Sequence, residues 1–545
     1  MKRSYYIWPT IIALALAIGI FLGGKLNFND TPEKLFTTNS KKDKLNRLID
    51  FIDYEYVDDI NTDSIVDVTV NNILDKLDPH SVYIPKNEMK TVSENMKGDF
   101  VGIGINFYMY KDTIAVIRTV ERGPSSLKGI QPGDRILAAD GDTLFGRRLP
   151  NDEVVSKLKG AQGSSVDLKV YRKSENRTFQ VNLRRDRIPL KSVDAYFMMT
   201  PDMGYIKVNR FAETTYTEFL NALRSLQRQG AKKLTLDLRD NPGGYLSIAE
   251  KLADEFLKDG KLILFTKNKS GEVSKSYATR KGSFEDKPIY VLINERSASA
   301  SEIIAGALQD NDIGTIIGRR SFGKGLVQRE MELGDGSAIR LTVSRYYTPT
   351  GRSIQKAYDN GHKDYYEKFT ERYHNGELKS VDSIKVADSL KYTTPKGKVV
   401  YGGGGIIPDV FVPIGSNEEE AVESLDSGYG LFSRFVFEHL EEDRTRYKDY
   451  SERQFYNDFN VDDILFENFI NYAEQWPLVQ KLNLRYYDLE DRIKTNLKAA
   501  MAAQLFNSNL QARIKGSSDA MLQKVTELDR PTIQQKEATR INATN

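Results

Sequence analysis

The spacing of apolar positions changes several times along the chain, and each change marks a boundary. Tyr5–Gly24 is an uncharged, mostly apolar run of 20 residues, long enough to span a bilayer as a helix. Tyr5, Tyr6 and Trp8 stand at one end, where amphipathic rings favour the membrane interface. The triplets Ala13-Leu14-Ala15 and Ala15-Leu16-Ala17 fall inside the run rather than after it, which favours an uncleaved anchor over a cleaved signal peptide. Lys25, Lys34, Lys41 and Lys42 follow the run and weaken any orientation argued from positive charge. Over residues 42–96 the spacing is helical, through Leu45, Leu48, Ile49 and Ile52 and then Val66, Val70, Ile73 and Leu77. Asp78-Pro79 stops the second of these helices.

Residues 97–187 read as a compact β-rich domain opening with Phe100-Val101-Gly102-Ile103-Gly104-Ile105. Two glycines inside an alternating strand leave the backbone open to a ligand, and a side chain there would collide with it. From Ile188 strands alternate with helices: Gly204–Val208, Thr217–Arg228, Leu234–Leu238, Leu246–Leu257 and Ile289–Ile293. That alternation predicts a mainly parallel sheet with its sites at the carboxyl ends of strands. A polar stretch near 358–397 reads as an insertion or mobile loop, and the run Gly402–Gly405 closes into Ile406-Ile407-Pro408-Asp409-Val410. Residues 415–514 are helical in pattern and rich in phenylalanine and charge, and from about Gln534 the chain is polar and expected to be disordered. A helical region of this kind packs on the core or on a second copy of the chain, so a homodimer is among the expected partners. The expected fold class is α/β and β multidomain. A transmembrane anchor covers 1–26, a helical segment 27–96, a β domain 97–187, a mixed α/β core with parallel sheet elements 188–414, and a helical region 415–545.

Composition narrows the chemistry. The 78 basic and 76 acidic residues nearly cancel, to +2, leaving no charge excess to attract nucleic acid. Cysteine is absent, which excludes disulfides, thiolate metal sites and a cysteine nucleophile. Histidine occurs only at 80, 362, 374 and 439. His80, beside an acid but without a second ligand at usable spacing, reads as a turn residue rather than a metal ligand.

The most informative stretch is Ser297–Gln328. Ser297, Ser299 and Ser301 alternate with alanines directly before an apolar helical segment (Ile303, Ile304, Ala305, Ala307, Leu308). A serine at such a strand-to-helix turn exposes its hydroxyl beside unpaired backbone N–H groups. Lys324 follows between Gly323 and Gly325, and no histidine lies near. A lysine can act as base if burial lowers its pKa. The pattern is therefore a serine nucleophile with a lysine base, needing no metal or cofactor. The four-residue step from Lys324 to Gln328 brings the two side chains together if the segment is turn-like or helical.

The sequence SASASE, then FGKG, then Gln328 resembles the carboxyl-terminal processing (tail-specific) protease family. By that resemblance Ser299 is the nucleophile, Lys324 the general base and Gln328 the residue that orients it. The Asn241-Pro242-Gly243-Gly244 turn lines an oxyanion hole, with the N–H groups of Gly244, or Gly243, and of Ala300 as donors. The family often has glycine where this chain has Asp240. The resemblance spans residues 42–413 and includes the LDPHSVY phrase and the glycine run at 402–405. Gly102, Ile103, Gly104 and Ile105 resemble the carboxylate-binding loop of a PDZ domain, which takes an extended peptide as an added strand. The implied function is a membrane-anchored serine endopeptidase that binds protein C-terminal tails. Its expected place is the inner membrane, single-pass, with the catalytic part on the periplasmic side. The alternative is a non-catalytic PDZ scaffold or adaptor, for which the serine, lysine or glycines would be damaged; all are intact.

Overall fold

The computed structural model describes residues 40–530 apart from residues 428–429, 478, 483 and 486. The chain divides into two compact units, one ending at Leu74 and one beginning at Asp75. The first holds α1 (Ser40–Glu55) and α2 (Thr62–Leu74), on the helical spacing read from the sequence. The expectation of a single-pass inner-membrane anchor is corrected: among the described residues no helix is long and apolar enough to cross a membrane. The run 5–24 on which it rested lies outside the described residues, so neither the anchor nor the membrane placement has support.

The second unit starts with β1 (Val82–Ile84) and α3 (Lys86–Lys97). The β-rich domain that follows is built on a six-stranded sheet with β2 (Ile105–Tyr110) at one edge. Its core takes Ile114, Val116, Ile136, Val166, Leu168 and Val170, with Val154 and Leu158 from α4 (Asn151–Leu158). Along Ser165–Arg172 every second residue is buried, the period of a strand with one face in a core.

The strands of the core that position the site are β3 (Val193–Met198), β4 (Met203–Val208), β5 (Lys233–Asp237), β6 (Ile289–Ile293), β7 (Gly314–Gly318), the hairpin β8 (Leu326–Glu332) and β9 (Ala338–Tyr347), and β10 (Val410–Phe411). They are interleaved with helices α5 (Thr215–Arg228), α6 (Leu246–Asp254), α7 (Ala300–Asp310) and α8 (His362–Glu371). The central sheet runs β3-β4-β5-β6-β7-β10, parallel from β4 onward. Strand alternation divides its side chains between two layers. Ile206, Val291, Ile293 and Ile316 meet α5, α6 and α7 on one face. Tyr205, Leu292 and Ile317 meet Met521, Leu522 and Val525 of a C-terminal helix on the other.

The C-terminal region therefore supplies the second layer of the core sheet. It also reaches the β domain through α9 (Leu431–Asp443). Phe437 packs edge-on against Tyr108 and Tyr110 of β2, at 6.0 and 5.5 Å between ring centroids, and Glu441 pairs with Arg135 at 2.5 Å. The polar stretch near 358–397, expected as an insertion or mobile loop, is built around α8 and a short hairpin, Lys391–Thr393 with Val399–Tyr401.

The far end of α7 is held by Arg352. It is fully buried, donating to Asp310 Oδ1 at 2.6 Å, Gln309 Oε1 at 2.7 Å and the Tyr401 carbonyl at 2.6 Å. Removing one partner of a buried pair strands the other charge. Asp310→Ala is expected to lower stability by roughly 3–5 kcal/mol, measured by denaturant unfolding; a loss under about 1 kcal/mol, the range of exposed pairs, would refute this account.

Candidate active site

Ser299 ends the loop that leaves β6 and caps α7. Its backbone is left-handed, at φ 53 and ψ −112, a region that costs a non-glycine residue about 1–3 kcal/mol. Of the three alternating serines, Ser297 and Ser301 are fully buried. Ser297 Oγ donates to the Leu238 carbonyl at 2.8 Å, and Ser301 Oγ to that of Asn241 at 3.0 Å. Ser299 is half-buried, and its hydroxyl donates to no protein group among the described residues.

The Asn241–Gly244 turn is stitched to this serine segment. The Asn241 carbonyl accepts the Ala298 N–H at 3.0 Å as well as the Ser301 hydroxyl. Gly243 and Gly244 have φ of 106 and 147. A Cβ on Gly243 would lie 2.8 Å from Ser299 Cβ, and one on Gly244 2.3 Å from the Phe211 carbonyl oxygen, so both conformation and space require glycine. The Gly243 N–H is taken by Asn241 Oδ1 at 2.9 Å. Those of Gly244 and Ala300 have no acceptor among the described residues. Asp240 is also left-handed, at φ 61, which explains glycine there in the resembled family. An aspartate tolerates the region, and here it exchanges hydrogen bonds with the Asn294 side chain, both at 3.0 Å.

Lys324 lies in the loop between β7 and β8. Its Nζ donates to Gln328 Oε1 at 2.9 Å, and Gln328 Nε2 donates to the His80 carbonyl. Burial, with the Arg340 guanidinium adding repulsion, lowers the Lys324 amine from the usual 10.5 to about 8, while Asp78 and Glu302 oppose the shift. The step from Lys324 to Gln328 is extended, not turn-like or helical: Gln328 belongs to β8. Lys324 lies before the strand, and the pairing of β8 with β9 shifts register between Val327 and Gln328, with Val343 of β9 as the extra residue. No hydrogen bond joins Lys324 Nζ to Ser299 Oγ in this structure.

Glu302 joins the serine and the lysine through their backbones. It is fully buried. Oε2 accepts the N–H groups of Ser299 at 2.8 Å and Lys324 at 2.9 Å, and Oε1 accepts the Gly323 N–H at 2.7 Å and the Ser321 hydroxyl at 2.5 Å. Burial raises its pKa, and these four bonds oppose the rise. Arg372, 2% exposed, donates to the carbonyls of Ser321 and Gly404. The glycine run backs the same loop, since a Cβ on Gly405 would fall 2.5 Å from the Ser321 carbonyl oxygen. Glu302 and Arg372 are absent from the sites expected from sequence. Ser299-x-x-Glu302 is a capping-box spacing that could have revealed the first; Arg372 lies in a stretch read as an insertion and carries no such signal.

The loop 102–105 shares no hydrogen bond with this constellation among the described residues. There the N–H groups of Ile103 and Gly104 have no acceptor, while their carbonyls accept from Ser125 and Val120 at 3.0 and 2.9 Å. Ile103 is buried and Gly104 has φ 74. Gly102 and Gly104 are also crowded by the domain itself. A Cβ on Gly104 would first meet Ile188 at 3.0 Å, and one on Gly102 the Phe100 ring at 2.9 Å. Among the described residues no cluster of His, Cys, Asp or Glu is arranged to hold a metal ion.

Comparison with known proteins agrees with this architecture. Residues 202–361 match the model of peptidase family S41, residues 101–183 that of the PDZ domain, and residues 427–507 that of a family of unknown function. The fold thus defines a serine-type peptidase with a PDZ domain. The carboxy-terminal-processing protease of Bartonella bacilliformis is 35% identical over 347 residues, covering 62% of this chain and 78% of that protein. The carboxy-terminal processing protease CtpA of Bacillus subtilis is 33% identical over 363 residues, covering 65% and 76%. This chain belongs to the carboxy-terminal processing protease family.

Glu302→Gln is expected to lower kcat at least tenfold with little change in KM, because an amide offers one acceptor oxygen where the carboxylate serves four donors, and about 1.4 kcal/mol of lost preorganisation is already tenfold. Steady-state kinetics on a short peptide checks this; unchanged kcat would show that Glu302 does not set the geometry.

Proposed function

We propose that this peptidase cuts peptide bonds with Ser299 as nucleophile and Lys324 as general base. The observation that carries the reading is that one buried carboxylate, Glu302, holds both backbones in a single frame. The amine is lowered to about 8, within reach of neutrality where the enzyme must work. Neutral Lys324 takes the Ser299 hydroxyl proton as the oxygen attacks the scissile carbonyl, and the N–H groups of Gly244 and Ala300 hold the developing oxyanion. Lys324 passes the proton to the leaving amine and then activates the water that releases the acyl group. Gln328 keeps Lys324 in place in the free enzyme; the contact from Lys324 to Ser299 tightens on substrate binding, as catalytic hydrogen bonds commonly do.

The PDZ domain implies peptide binding, and we assign the tail-reading role to residues 102–105. Strand β2 stands at the edge of its sheet, the place where a peptide adds as a further strand, and the N–H groups of Ile103 and Gly104 suit a terminal carboxylate.

Ser299→Ala and Lys324→Ala are each expected to lower kcat by several orders of magnitude without unfolding, and the two losses will not add. Lys324→Arg should be equally inactive because a guanidinium stays protonated. Since the base must be neutral, wild-type activity should rise as pH passes through the lysine pKa of about 8. Assays of the three variants and a pH profile test this; strong activity in either alanine variant would end the assignment.

Peptide binding is tested separately by calorimetry with matched free-acid and C-terminally amidated peptides. Charge-assisted hydrogen bonds contribute about 1.5–3 kcal/mol each, so amidation should weaken binding at least roughly tenfold. Equal affinities would remove the carboxylate-reading role.

A further inference from the structure

Asp78 carries no part in the chemistry just described, yet the chain around it is fastened to the residue that holds Lys324. Its side chain is buried, 8% exposed. Oδ1 accepts the N–H groups of His80 and Ser81, both at 2.9 Å, and Oδ2 accepts the Ser81 hydroxyl at 2.6 Å. One carboxylate therefore organises the whole 78–81 turn, an Asx arrangement in which an aspartate replaces missing backbone partners. Two further bonds tie the turn to β9: Thr342 Oγ1 donates to Asp78 Oδ1 and the Thr342 N–H to Ser81 Oγ, each at 3.1 Å. Thr342 is the register partner of Gln328 across the hairpin. The chain then enters β1, which pairs with β9 from Val82 opposite Arg340, and the exit direction is fixed.

The consequence lies in the His80 carbonyl, which this turn aims at Gln328. A carbonyl can only accept, so it selects the NH2 end of the Gln328 amide. The oxygen end is then left facing the Lys324 ammonium, where it accepts at 2.9 Å. A reversed amide would set its NH2 against the ammonium and its oxygen against the carbonyl, and both bonds would be lost.

We propose that Asp78 is a positioning residue for the reaction: by holding the 78–81 turn it fixes the Gln328 amide, and through it the place of the Lys324 amine. The proposal rests on Lys324 being the general base. The charged and titratable groups facing that amine are Asp78 and His80 from the turn, Glu302 from α7 and Arg340 from β9. His80 is neutral in the working range, since burial and then the nearby Lys324 charge lower it to about 3. Asp78 and Glu302 favour the protonated lysine and Arg340 disfavours it. Loss of the Asp78 charge therefore makes Lys324 give up its proton at lower pH.

The test measures kcat, KM, the pH profile and the melting temperature of full-length Asp78→Asn and Ser81→Ala on a short peptide, with Lys324→Ala alongside. Asp78→Asn should lower kcat at least roughly tenfold, the equivalent of about 1.4 kcal/mol, with KM nearly unchanged. Its rising limb should move to lower pH. Ser81→Ala, which loosens the same turn without changing charge, should lower kcat and leave the limb in place. Wild-type kcat in Asp78→Asn would overturn the proposal. So would a lower kcat with an unmoved limb in a protein that melts at lower temperature, because that pattern describes a structural residue only. An active Lys324→Ala would refute the base assignment and the proposal with it. An inactive Lys324→Ala beside a wild-type-like Asp78→Asn would refute the proposal alone.

Discussion

A carboxylate sealed from water without a cationic partner is the constraint on which the geometry of the candidate site depends. Glu302 forms no ion pair among the described residues, and its charge is met by three backbone N–H groups and one hydroxyl. Desolvating such a group costs several kcal/mol, and charge-assisted hydrogen bonds return about 1.5–3 kcal/mol each. These bonds offset the cost of burying the carboxylate, and what they supply besides is geometry. Its bonds run to Ser299 on one side and to the Ser321–Lys324 loop on the other, two segments that no strand pairing joins. The same charge favours the protonated lysine, which limits how far burial can lower the amine.

That frame needs rigid supports on every side, and the fold provides them from distant parts of the chain. The parallel strands β5 and β6 deliver the glycine turn and the serine to the same end of the sheet. The end of the glycine run, Gly404 and Gly405, lies against the lysine loop, where a Cβ on Gly405 would meet the Ser321 carbonyl and one on Gly323 would meet the Gly404–Gly405 backbone. Arg372 reaches from just beyond α8 to bind both loop and glycine run. The C-terminal helices cover the face of the sheet that α5, α6 and α7 leave open, so a region without catalytic motifs is still part of the layered core. Through α9 that region also grips the PDZ domain on the outward-facing side chains of its edge strand.

Much of this was legible in sequence because it is local. The strand Ile289–Ile293 and the helix starting after Ser299 follow from apolar spacing alone, and the Asn-Pro-Gly-Gly turn announces itself by residue type. Boundaries moved by a few residues, as where the helix from Leu246 stops at Asp254 rather than Leu257. What could not be read depends on non-local contact or on main-chain atoms. The role of the His80 carbonyl is independent of the imidazole that draws the eye, and the register shift beside Gln328 is a property of the β8–β9 pairing rather than of local sequence. The stretch 358–397 looked dispensable because it is polar, yet its Arg372 is almost fully buried. The apolar run at 5–24 shows the opposite limit: hydropathy alone suggested a membrane span that nothing in the described residues supports.

The surroundings of the lysine loop also explain how an amine there comes near neutrality. Lys356, whose N–H donates to the Gly323 carbonyl, sits with its ammonium 3.8 Å from the Tyr365 ring centroid and 4.8 Å from that of Phe322. Burial, reinforced by Arg372 and Arg320, lowers it to about 7. Both amines are depressed by burial first and by neighbouring guanidinium groups second, Arg340 for Lys324 and Arg372 with Arg320 for Lys356. Lys324 differs from Lys356 in what it faces. Lys356 Nζ is spent on the Tyr365 carbonyl at 2.8 Å, a main-chain acceptor, whereas Lys324 Nζ donates to the side-chain amide of Gln328 at 2.9 Å.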